Sequence, residues 1–225
     1  MKDATLLRVG NKEAMQRRED AQRRVHSQGA ALDVSELPSF GFGHRSLMWW
    51  GTQGLMAIEG TVFALAIGTY FYLRSHAQVW PMSAPPPALL WGTLNTVLLL
   101  VSLWPNHVAK QSAERLDRIG ARRGLAVCLA MSAAFLILRI FEFGALNLRW
   151  DANAYGSIIW TLLGLHTLHL LTDTYDSAVL LVLLYTGPLE GKRYVDVSEN
   201  ALYWIFVVLS WLPIYAVLYW APRSF

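Results

Sequence analysis

An all-α bundle of five membrane-spanning helices is the fold class that this sequence predicts. Three observations carry it. Of the 225 residues, 54% are apolar and only 16% are charged, well under the quarter expected of a soluble domain. The apolar residues gather in continuous runs near the roughly 20 residues that cross a bilayer. Those runs do not alternate as the strands of a membrane barrel do, so helices with internally satisfied backbone are the expected solution. The net charge of +3 does not point to nucleic acid, because the arginines sit between apolar segments.

Taken in order, residues 1–45 are polar and read as a cytoplasmic segment ahead of a transmembrane domain over 46–225. No cleavable leader is read there. "KEAMQRREDAQRRVHS" suits a surface helix and "SELPSFGFG" a linker. The spans are expected near 47–73, 88–104, 124–146, 155–185 and 201–220. The second is short, and the fourth is long enough to tilt or project. "WPMSAPPP" reads as a loop held extended by proline. Trp49, Trp50, Trp80, Trp104, Trp150 and Trp220 fall near span ends, where indoles favour the interface.

Loop charge orients the bundle. Lys2, Arg8, Lys12, Arg17, Arg18, Arg23, Arg24 and Arg45 precede the first span. Lys110, Arg115, Arg118, Arg122 and Arg123 lie between the second and third, and Lys192 and Arg193 between the fourth and fifth. The other side carries Arg74, Arg149 and Arg223. The asymmetry places the N-terminus in the cytoplasm and the C-terminus outside.

Polar residues at membrane depth are the functional candidates, because each is unfavourable in lipid unless paired, protonated or wet. Glu59 lies in the middle of the first span. Arg139 and Glu142 are three residues apart in the third, a spacing that allows an ion pair. His166, His169, Asp173 and Asp176 fall on roughly one stripe of the fourth. The two histidines could supply two metal ligands and would need more from Glu59 or Glu142. A haem would need a facing histidine, and His107, at the end of the second span, is the candidate. A polar seam between helices, or a proton path, are the other readings. Asn95 and Thr96 suit hydrogen bonds between helices. Gly60, Ala64 and Gly68 make a small-residue stripe for close helix approach. The lone Cys128 excludes an internal disulfide and a multi-thiolate cluster. Phosphate loops, nucleophile elbows, zinc-protease helices and inverted repeats are not seen.

Together these segments resemble subunit III of the haem-copper cytochrome c oxidases. The resemblance rests on "AIEGTVFALAIGTYFY" with Glu59, "WP" and the prolines after it, and "LNTVLLLVS". It continues through "FEF", "YGSIIWTLLGLHTLH" and "ALYWIFVVLSWLPIYAVLYW", in that order over most of the chain. The chain would lack the first two helices of seven-helix members. It departs from the family at Ile205 and Val208, where histidine and aspartate are usual, and at Asp173, where glycine is usual. The resemblance implies an accessory subunit without a catalytic centre or cofactor of its own. It implies packing against subunit I, which carries the haems and copper. It also implies phospholipid in a helix cleft, support of oxygen access and proton uptake, and a bacterial-type cell membrane. Glu59, Glu142, His166 and His169 would line or brace that cleft. A similar subunit of a nitric oxide reductase is the near alternative. A small transporter or proton channel, or an independent metalloprotein, are alternatives of other classes.

Overall fold

In the computed structural model, residues 40–82, 85–187 and 190–223 are described. The polar segment over 1–39, with its expected surface helix, lies outside them. After a short 3₁₀ turn, Gly43–Arg45, come α1 (Leu47–His76), α2 (Leu89–Glu114), α3 (Arg118–Gly144), α4 (Ala154–Thr186) and α5 (Gly191–Tyr215). A π-helical turn, Ala216–Trp220, extends α5. All five helices are long and apolar enough to cross a membrane, counting the turn with α5. Five crossings put the two ends of the bundle on opposite sides.

Local chemistry sets several starts. Ser46 caps α1 by accepting from the Met48 N–H, Asp117 caps α3 through Ile119, and Asn153 caps α4 through Gly156. Each satisfies one of the four N–H groups that a helix start leaves open.

The two largest boundary differences from the sequence expectation have one reason. The second helix does not stop before Pro105 but runs ten residues further, to Glu114. Pro105 is buried inside it, and its neighbour Asn106 donates to the Ala201 carbonyl at 2.8 Å. Membrane helices accept proline where adjacent side chains hold the local structure. The fifth helix starts at Gly191, not Ala201, because "GKRYVDVSEN" is helical and buries Tyr194, Val195, Val197, Ser198 and Glu199. Hydropathy marks the apolar slab, whereas both helices continue past it. The expected long basic loop between the second and third spans is therefore a three-residue turn, 115–117. Leu116 adopts a left-handed conformation there, φ 58°.

In the bundle, α5 packs against α1, α2 and α4, while α3 packs on α2 and α4. The main core joins Leu99 of α2, Phe135 of α3, Ile159, Leu162 and Leu163 of α4, and Val207, Trp211 and Ile214 of α5. A smaller core, with Ala113, Ala121, Leu125, Leu184 and Tyr194, closes the other end. Arg122 ties that end together by donating from Nε to the Leu184 carbonyl at 2.9 Å. Contact between α2 and α3 is close: a Cβ on Gly124 would lie 2.8 Å from the Ala109 Cα. By contrast α1 buries only Phe63 and Tyr70. Trp80 turns inward from its expected interface position and donates its indole N–H to the Tyr70 hydroxyl at 3.0 Å.

Candidate functional site

The intramembrane polar residues form two groups. The first is a buried charge network that joins four helices. Glu142 accepts from Arg139 Nη1 at 2.8 Å, from Asn95 Nδ2 at 2.6 Å and from the Tyr219 hydroxyl at 2.5 Å. Arg139 and Glu142 are each 1% exposed, so the pair is a desolvated one. A second guanidinium nitrogen, Arg139 Nη2, donates to His166 Nδ1 at 3.2 Å. The other ring nitrogen of His166, Nε2, donates to the Val207 carbonyl at 3.0 Å. These partners assign His166 as the neutral Nε2–H tautomer. The guanidinium carbon of Arg139 also lies 4.3 Å from the centre of the Trp211 ring, a cation–π contact. Trp211 in turn donates its N–H to Thr96 Oγ1 at 2.8 Å. Gly92 of α2 makes room for the Tyr219 ring, which occupies the space that a Cβ would take.

Thus the spacing of Arg139 and Glu142 makes the ion pair it allowed, and Asn95 and Thr96 make hydrogen bonds between helices. Sequence reading missed Tyr219 and Trp211. A tyrosine and a tryptophan in an apolar run signal an interface as readily as a buried hydrogen bond, so nothing local singled them out.

The second group lies between α1, α4 and α5. Glu59 accepts from the Tyr203 hydroxyl at 2.7 Å, and its other oxygen stands 3.5 Å from His169 Nε2. His169 Nδ1 donates to the Leu165 carbonyl at 2.7 Å. Beside this chain opens a cavity of about 840 Å³. Its lining includes Glu59, Asp173, Asp176, Asp196, Glu199, Asn200 and Tyr203, with Met48, Leu55, Leu171, Tyr175, Val179 and Leu180 as apolar walls. Asp173 is 3% exposed and receives one long hydrogen bond, from Asn200 Nδ2 at 3.4 Å. Asn200 also accepts from Ser177 at 3.1 Å. Asp196 pairs with Arg193 at 3.5 Å.

The expected stripe on the fourth helix therefore divides. His166 joins the network around Glu142, whereas His169, with its ring centre 4.8 Å from that of Phe63, reaches Glu59. A metal site using both histidines does not form: His166 spends both ring nitrogens on protein partners. Among the described residues no cluster of three or more His, Cys, Asp or Glu is placed to hold a metal ion. Cys128 is buried on α3. The small-residue stripe of α1 is only partly used within this chain. A Cβ on Gly60 would touch Phe206 at 3.6 Å, while Gly68 faces open space and Ala64 is exposed. At the family departures, Val208 is fully buried as an apolar core residue, and Ile205 is half-buried.

Comparison with known proteins agrees with the architecture. A family model described as cytochrome c oxidase subunit III matches residues 77–222. Cytochrome c oxidase subunit 3 of Synechocystis sp. is 25% identical over 182 residues, covering 79% of this chain and 77% of that one. The same subunit of Thermostichus vulcanus is 24% identical over 208 residues, covering 90% of this chain and 99% of that one. A protein named heme-copper oxidase subunit I+III, from Aeropyrum pernix, is 26% identical over 185 residues, 78% of this chain and 22% of that one.

Proposed function

The chain belongs to the cytochrome c oxidase subunit III family, and from that premise we propose that it is the accessory subunit that packs on subunit I of a respiratory haem-copper oxidase. The observation that carries this reading is the family match over most of the transmembrane domain. The Aeropyrum relative, whose name joins subunits I and III, supports the partnership.

In this reading the electron-transfer chemistry belongs to subunit I, which holds the haems and copper. This chain supplies lipid contacts, stability, and support for oxygen access and proton uptake. It lies in a bacterial-type cell membrane with its basic ends in the cytoplasm, following the asymmetry of Lys and Arg. The two polar groups divide the work. The network around Glu142 locks α2, α3, α4 and α5 into one body. The cavity between α1, α4 and α5 offers room and apolar wall for lipid. Glu59, in its lining, has a hydroxyl and an imidazole as partners, so its proton can be shared without a bare charge in lipid.

Co-purification tests the assignment. A tag on this chain should bring down a haem-copper subunit I in equal amount, and the isolated chain should show no haem spectrum. A stoichiometric haem on the isolated chain would overturn it. Recovery of a nitric oxide reductase instead would move the chain to the related system. Ion or proton flux through vesicles holding this chain alone would favour a transporter.

A further inference from the structure

Three oxidisable rings stand in a row at the C-terminal end of α5. The ring centres of Trp211 and Tyr215 are 6.2 Å apart, and those of Tyr215 and Tyr219 are 5.1 Å apart. Trp211 and Tyr219 are buried, whereas Tyr215 is half-buried, so the row joins the lipid side of the bundle to its core. Their polar partners are graded. The Trp211 N–H meets a neutral hydroxyl, Thr96 Oγ1, at 2.8 Å, and the Arg139 guanidinium lies 4.3 Å from the centre of its ring. Tyr215 shares a hydrogen bond of 2.8 Å with the Thr93 hydroxyl. Tyr219 donates to a carboxylate, Glu142 Oε1, at 2.5 Å. A phenol that loses an electron becomes strongly acidic. One held on a carboxylate can give up electron and proton together, and is therefore easier to oxidise than one held on a hydroxyl. The Arg139 charge disfavours a positive hole on Trp211, and the Glu142 charge favours one on Tyr219.

We propose that Trp211, Tyr215 and Tyr219 form a one-electron relay that gathers oxidising equivalents onto Tyr219, with Glu142 as the acceptor of its proton. The oxidant is a peroxyl radical, the class that oxygen forms with unsaturated membrane lipid. It takes one electron from Tyr215 and a proton from water, and becomes a hydroperoxide. The hole passes from Tyr215 to Tyr219. There the phenolic O–H bond breaks, the proton bonds to Glu142 Oε1, and a neutral tyrosyl radical remains in the space that Gly92 leaves open. Trp211 admits a hole from the core side of the row in the same way. One electron from a reductant of the ascorbate class, with return of the proton from Glu142, restores Tyr219. A second tyrosine also donates to a carboxylate, Tyr203 to Glu59 Oε2 at 2.7 Å, but its ring neighbour is Phe206 at 5.9 Å. Phenylalanine is far harder to oxidise, so Tyr203 is the internal control.

The relay goes beyond the accessory-subunit reading and is tested on the full chain alone. The chain in nanodiscs is oxidised by an illuminated amphiphilic ruthenium polypyridyl with persulfate, frozen, and read by electron paramagnetic resonance. The natural chain should give a neutral tyrosyl signal that narrows when its tyrosines carry ring deuterium. Tyr219→Phe, which keeps the ring, should lose most of that signal. Tyr215→Phe should form it more slowly. Glu142→Gln, compared at a temperature where its helical circular dichroism matches the natural chain, should lose most of it as well. Tyr203→Phe should keep it. An equal signal in Tyr219→Phe, an equal rate in Tyr215→Phe, or loss in Tyr203→Phe overturns the relay. A full signal in Glu142→Gln overturns the role of Glu142 as proton acceptor. No tyrosyl signal in the natural chain overturns the inference and leaves the accessory-subunit reading to the co-purification test.

Discussion

Replacing Glu142 by Gln tests whether the buried pair holds the bundle. Gln keeps the volume and one acceptor. In its better orientation the amide oxygen faces Arg139 and Asn95, and the amide NH₂ faces the Tyr219 hydroxyl, which can turn to accept. All hydrogen bonds of Glu142 are then replaced, and what is lost is the counter-charge of Arg139. At 1% exposure, that guanidinium cannot recover it from water. Removing one partner of a buried pair costs about 3–5 kcal/mol. For a chain of this length that corresponds to roughly 6–20 °C of melting temperature. Arg139→Met should be milder, because an unpaired carboxyl can take up a proton and remain neutral. The double variant should lie close to Arg139→Met alone, so the cycle shows a coupling of at least about 1 kcal/mol. Thermal unfolding of the purified complex, followed by light scattering or tryptophan emission, reads all four proteins. Additive losses, or a shift under about 2 °C for Glu142→Gln, would refute the claim that this pair locks the four helices.

Other outcomes follow from the same packing. Gly124→Ala places a Cβ 2.8 Å from Ala109 and should destabilise the α2–α3 contact by about 1–3 kcal/mol, read as a lower melting temperature. Gly68→Ala meets nothing in this chain and should leave the isolated chain's melting unchanged; loss of complex assembly would show that a neighbouring helix uses that face. Gly92→Ala displaces the Tyr219 ring and should destabilise by about 1–3 kcal/mol through the lost bond to Glu142. Glu59→Gln keeps the acceptor for Tyr203 and offers an N–H to His169 Nε2, so stability should change by less than about 1 kcal/mol. A larger loss would mean that Glu59 works as an ionised partner of a charged His169.

The sequence and the structure agree where the signal is local. Runs of apolar residues mark membrane spans because lipid excludes unpaired backbone. The spacing of Arg139 and Glu142 places them on one helix face whatever surrounds them. Boundaries were less legible. The apolar run places the end of the second span at 104, yet α2 continues through the buried Pro105 to Glu114, tied to α5 by Asn106. The polar start of α5 carried no hydropathy signal, although half of it is buried.

Sequence alone determined the class, the number of spans, the charge asymmetry and which ionisable residues interrupt the apolar runs. These follow from composition and helical period, which need no partner. Tertiary structure decided the partners. It gave His166 to Arg139 and Val207 and His169 to Glu59, and joined Asn95 to Glu142 across 47 residues. It gathered Asp173 of α4 with Asp196 and Glu199 of α5 around one cavity. The identity of the residue across a helix interface depends on rotation and crossing of two helices, and neither quantity is written in the sequence of one of them.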